Sequence, residues 1–138
     1  MRHAFLAILT VFVLALGTPV KAQSFEDGLK AYDVGDYSTA FEIWSPLAEK
    51  GVAEVQFNLG LMYFHGLGVP RNYAKVMRWY KLAAEQGHSK AQYNLGAMYR
   101  KGKGVQQDNA KATRWFQMAA EQGHAEAQFN VAFMYEEG

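Results

Sequence analysis

Cysteine is missing from this 138-residue sequence. Its absence removes thiol catalysis and zinc–thiolate sites, and an exported chain of this size then has no disulfides and must rely on packing alone. Charge of one sign is missing too, because 14 Lys and Arg stand against 13 Asp and Glu. A phosphate backbone is held by clustered positive charge, so DNA and RNA are not expected partners. There is no run long enough to cross a bilayer, which takes about 20 apolar residues. The apolar stretch from Ala4 to Leu16 follows Met1, Arg2 and His3 and is closed by Pro19 and Lys21. A basic start, a short apolar run and a small-residue site describe a secretory signal. Val20-Lys21-Ala22 is that site, with cleavage expected after Ala22 and a periplasmic destination in a double-membrane cell. The remaining residues 23–138 hold twelve basic and thirteen acidic side chains, enough chain for one domain with a modest core.

Catalytic patterns are equally scarce. Ser24, Ser38, Ser45 and Ser89 sit in neither a Gly-x-Ser-x-Gly elbow nor a Ser-x-x-Lys pair. Glu85 and Glu121 lie a full repeat apart rather than forming a close acid pair. Gly66-Leu67-Gly68 and Gly102-Lys103-Gly104 follow expected helices, whereas a phosphate-cradling loop follows a strand. His88 and His124 also lie one repeat apart, and helix axes spaced about 8–10 Å cannot bring them to one ion with ~2 Å bonds. Each follows a glycine that ends a helix, so the expectation is contact with the last carbonyls and the negative dipole end. No catalytic residue, metal or cofactor is expected.

What the chain does have is aromatic residues, with 9 Phe, 8 Tyr and 3 Trp, and a repeat. Residues 56–88 read QFNLGLMYFHGLGVPRNYAKVMRWYKLAAEQGH and residues 92–124 read QYNLGAMYRKGKGVQQDNAKATRWFQMAAEQGH, an offset of 36. The units fall at about 24–52, 53–88, 89–124 and an incomplete 125–138. The first has nine residues from Gly28 to Tyr37 where the second has thirteen from Gly60 to Tyr73, so its inter-helix loop is four residues shorter.

Each unit parses as two helices, since Leu59 and Tyr63 are spaced i, i+4 and Ala74, Trp79 and Ala83 build a second apolar stripe. Asp36, Asn72 and Asp108 stand where a short acceptor caps the second helix, and Gly51, Gly87 and Gly123 stand where it ends. Helices are predicted at about 24–34, 37–50, 53–64, 72–86, 89–100, 108–122 and 125–136, with no strand. Gly60 and Gly96 are expected to let the Trp79 and Trp115 helices pack closely. Pro46 is expected to kink its helix or break the last turn.

The pattern AQxNLGxMYxxGxGV followed by AKxxRWxxxAAEQGH resembles the Sel1-like repeat, a relative of the tetratricopeptide repeat, over nearly all of residues 24–138. The resemblance implies a right-handed α-solenoid whose first helices line the concave side, and a role as an adaptor that gathers partners. Some cysteine-rich secreted members are linked to β-lactam or peptidoglycan chemistry. A cell-wall-directed enzyme or binder is therefore the second reading, and the missing cysteines depart from that branch.

A candidate surface follows from helix geometry. With Leu59 and Tyr63 inward, Phe57, Leu61 and Phe64 fall about 140–200° away on the other side. The equivalent stripe runs through Phe25, Leu29 and Tyr32, then Tyr93, Ala97 and Arg100, then Phe129 and Phe133, with Lys90, Arg100, Lys101 and Lys103 near the middle. One reading is a groove for an apolar or acidic peptide, using Phe57 and Tyr93 as anchors and Arg100 as a clamp. The other places Phe25, Phe57, Tyr93 and Phe129 in the core, and Arg100 and Lys101 in water. The last helix leaves Val131 and Phe133 without a covering partner, so fraying, self-association or a missing continuation of the reading frame is expected there.

Overall fold

The computed structural model describes residues 23–138, so the expected signal segment lies outside the described residues. Seven helices follow one another, with no strand among the described residues: α1 (Phe25–Asp33), α2 (Tyr37–Glu49), α3 (Ala53–His65), α4 (Tyr73–Glu85), α5 (Ser89–Lys101), α6 (Asn109–Glu121) and α7 (Ala125–Glu136). Each packs on the helix before it and the helix after it, which is the order of an α-solenoid. The sequence periodicity places these ends within a residue or two. The reason is that the punctuation is chemical: Asp36, Asn72 and Asp108 side chains accept the Thr39, Lys75 and Lys111 amides at 3.2, 3.0 and 3.0 Å.

The break expected at Pro46 is absent, because α2 continues through it to Glu49. Pro46 and Glu42 are both exposed, so water can satisfy the carbonyl that loses its amide partner.

Small residues at one register let each odd helix meet its even partner. A Cβ on Gly28 or Gly60 would overlap the ring of Trp44 or Tyr80, and one on Gly96 would sit 2.9 Å from Phe116. The socket is therefore as expected but its knob is not Trp79 or Trp115. It is the following residue in each case. Trp79 is buried in the core elsewhere, with the Arg78 guanidinium 4.5 Å from its ring centre, and Trp115 is half-buried.

Consecutive units are joined by two polar devices that the periodicity does not announce. Gln56 and Gln92 are buried in α3 and α5, and their side-chain amides donate to the Ala48 and Ala84 carbonyls of the preceding even helix at 3.0 and 3.1 Å. Their oxygens accept from Gln86 and Gln122 at 2.8 and 2.7 Å. Hydrogen bonds at both ends of a buried amide offset its desolvation, so these seams fix register at little cost to the core. In the second device, the loop after each odd helix runs onto the start of the preceding even helix. There a Cβ on Gly68 would lie 2.7 Å from the Tyr37 carbonyl carbon, and one on Gly104 2.7 Å from the Tyr73 carbonyl oxygen.

Candidate binding surface

The odd helices leave hollows at the joints between units. The central one, between α3 and α5, has a volume of about 260 Å³. Leu61, Phe64, Tyr93, Ala97 and Met98 supply its apolar wall, Tyr80 and Asn94 contribute polar atoms, and His65, Lys101 and Lys103 stand around it. A smaller hollow of about 100 Å³ between α1 and α3 is lined by Leu29, Tyr32, Trp44, Asn58 and Leu61. A more open one between α5 and α7 is lined by Tyr93, Ala125, Glu126, Phe129 and Asn130. Leu61 and Tyr93 thus each serve two neighbouring hollows.

Six of the eight expected site residues fall into three groups. Leu61, Phe64 and Tyr93 are half-buried and line the central hollow. Phe129 and Phe133 are 71% and 45% exposed on α7, whose main packing is on α6. Lys90 is exposed in the first turn of α5 and does not line the hollow.

Two expectations need correction. Phe57 is not a groove anchor: it is 7% exposed, stacked at 5.6 Å on Tyr80 and 4.7 Å on His88. A one-sided stripe model fails because α3 is enclosed by both α2 and α4, and its buried residues run almost around the helix. Phe25, half-buried and stacked 5.9 Å from Trp44, follows the same logic. Arg100 is not a free clamp either. Its guanidinium donates to the Asn130 side chain at 2.7 Å and lies 5.6 Å from the Phe116 ring centre, which ties α5 to α7.

The histidines also change role. His88 and His124 are N-caps of α5 and α7, each accepting through Nδ1 from the amide three residues on, at 3.2 and 3.3 Å. The connection is so short that the residue after the helix-ending glycine already starts the next helix. His88 Nε2 meets Glu54 at 2.8 Å, and the His124 ring stacks on Tyr93 at 4.7 Å, so each ring holds the start of the helix it caps against the odd helix before it.

Asn58, Asn94 and Asn130 were not singled out by their sequence context, although their 36-residue spacing marks them. One stands in each hollow. The Asn94 side chain hydrogen-bonds the Tyr80 phenol, whose burial outweighs that bond and pushes its pKa from 10.0 up to about 12. The folded state thus holds the Tyr80 proton more tightly than the unfolded chain does. That contribution is complete below pH 10 and is lost as pH rises through about 12. Melting temperature should therefore fall over this interval, and Tyr80→Phe should make the fall shallower. Parallel curves for the two proteins would contradict the placement of the phenol.

A family model described as the Sel1 repeat matches residues 53–88, 89–124 and 125–138. Among solved structures, a Sel1 repeat protein from Oxalobacter formigenes superposes with a TM-score of 0.79 and 35% identity, covering 83% of this chain and 47% of that one. A protective antigen present in uropathogenic Escherichia coli strains, with an SLR fold, gives 0.78 and 36%, covering 83% of this chain and 25% of that one. Among curated relatives, the DAP3-binding cell death enhancer 1 of Rattus norvegicus is 37% identical over 50 residues, which are 36% of this chain and 10% of that protein. The chain therefore spans less than half the length of each of these proteins.

Proposed function

The chain belongs to the Sel1 repeat family, whose repeats generally mediate protein–protein interaction, and on that premise we propose that it is a non-enzymatic adaptor of the cell envelope. In this reading a protein or peptide partner lies along α1, α3, α5 and α7, taken as the concave face. The single observation that carries the reading is the central hollow, where Leu61, Phe64 and Tyr93 stay half-open. A half-open apolar wall gains free energy when a partner's side chain removes it from water, at roughly 25 cal/mol per Å². The expected leader in residues 1–22 supports the envelope location.

Filling the hollow tests the face. Ala97→Trp should abolish partner capture from an envelope extract while far-ultraviolet circular dichroism stays unchanged. Leu82→Trp, on α4 and away from the hollow, should leave capture intact. Equal capture by both variants would move the binding site elsewhere. Hydrolysis of a β-lactam or a peptidoglycan fragment above background would favour the cell-wall enzyme instead.

A further inference from the structure

Several packed positions of this repeat recur unchanged, whereas positions around the central hollow change in charge. Leu-Gly at 59–60 and Met-Tyr at 62–63 recur as Leu95-Gly96 and Met98-Tyr99. His65, Lys101 and Glu137 occupy one equivalent position, and Leu67 and Lys103 another. Packing repeats because the geometry repeats, so a side chain that varies at an exposed position of the same framework is free of that constraint. Among the three hollows of the odd helices, only the central one has lysines in its lining, Lys101 and Lys103. The hollow between α1 and α3 has no charged lining, and the one between α5 and α7 has Glu126.

We infer that the hollow between α3 and α5 takes a short acidic peptide, one apolar side chain entering against Leu61 and Tyr93 while flanking carboxylates pair with Lys101 and Lys103; this rests on the adaptor reading. Three observations select that chemistry. First, both lysines are exposed and neither forms an ion pair among the described residues, whereas Arg100 is already held by Asn130. Second, the Lys103 ammonium is held 5.6 Å from the Phe64 ring centre and 5.7 Å from that of Tyr73, so the charge is kept beside the hollow. Third, no acidic residue lines the hollow, and its 260 Å³ is below the usual range of about 300–1,000 Å³ for small-molecule sites, which suits a side chain rather than a cofactor. Two lysines in a nearly neutral chain are too few to follow a phosphate backbone, which separates the peptide from a nucleic acid.

Fluorescence anisotropy of the full chain with three pools of labelled ten-residue peptides tests this. Each pool carries one leucine or phenylalanine, set among acidic, basic or uncharged polar residues. The acidic pool should bind best and weaken as salt rises. Its affinity should fall roughly tenfold in the Lys101→Glu, Lys103→Glu double variant, because reversing exposed charges acts chiefly through electrostatic complementarity. Both positions are exposed, so the melting temperature should fall only slightly, through loss of the Lys103 contacts with the Phe64 and Tyr73 rings. Ala97→Trp should remove binding of the acidic pool. If the basic or uncharged pool binds as well as the acidic one and loses binding in Ala97→Trp, the acidic partner is refuted and the groove survives. If no pool binds, or binding persists in Ala97→Trp, both the inference and the face assignment fail.

Discussion

Phe116→Ala should lower the unfolding free energy by about 3–5 kcal/mol, the range for removing a fully buried phenylalanine. The ring is 0% exposed and fills the socket left by Gly96, with Tyr93 5.5 Å away and the Arg100 guanidinium 5.6 Å away. Alanine would leave a cavity between α5 and α6 that the glycine opposite cannot fill. The neighbouring Trp115→Ala removes a larger but only half-buried ring and should cost less. Urea unfolding followed by circular dichroism measures both. Since stability in a repeat array is close to a sum over units and their interfaces, hydrogen exchange should show the loss concentrated in α5, α6 and α7. A cost below about 1 kcal/mol for Phe116→Ala, or a larger cost for Trp115→Ala, would refute the register of the socket.

Gly68→Ala should cost about 3 kcal/mol, more than Gly51→Ala, which should cost about 1–2 kcal/mol. Both residues have positive φ, at +69 and +97, so both substitutions carry the strain of a left-handed backbone. They differ in surroundings. Nothing lies within 4 Å of a Cβ built on Gly51, whereas one on Gly68 would meet the Tyr37 carbonyl carbon at 2.7 Å and the Ser38 amide at 3.0 Å. Side chains can rotate away from an intruding methyl group, but helix backbone at the start of α2 cannot, so the loop or the unit interface must shift. Thermal melts of the two variants separate the contributions, and equal losses would show that the loop does not bear on α2.

The binding surface depends on the same joints. Filling the hollow at Ala97 should abolish partner capture without unfolding the chain, whereas Phe116→Ala should loosen the hollow from behind through Tyr93 and Arg100. Loss of binding in Phe116→Ala is therefore expected together with loss of stability, and only the Ala97 and lysine variants isolate recognition.

Local chemistry made the helices legible. The capping acceptors Asp36, Asn72 and Asp108 act within three residues, and a 36-residue repetition gives each boundary more than once. The candidate surface was legible only in part. Leu61, Phe64 and Tyr93 do line a hollow, but Phe57, on the same stripe, is enclosed because the helix that carries it is covered from two sides. Arg100 looked like its neighbours Lys101 and Lys103, and its capture by Asn130 comes from a residue 30 positions away.

By itself the sequence determined the all-helical repeat, the family and the ends of α1 to α7, since these rest on contacts within a turn or two of the chain and on recurrence of the same capping chemistry. Only the tertiary structure decided that Tyr80 and Phe116, rather than the tryptophans before them, enter the glycine sockets, that His88 and His124 open helices, and which aromatics stay within reach of a partner. A shift of one residue turns a helical side chain by about 100°, too little to alter a periodic pattern and enough to move a ring from one neighbour to another.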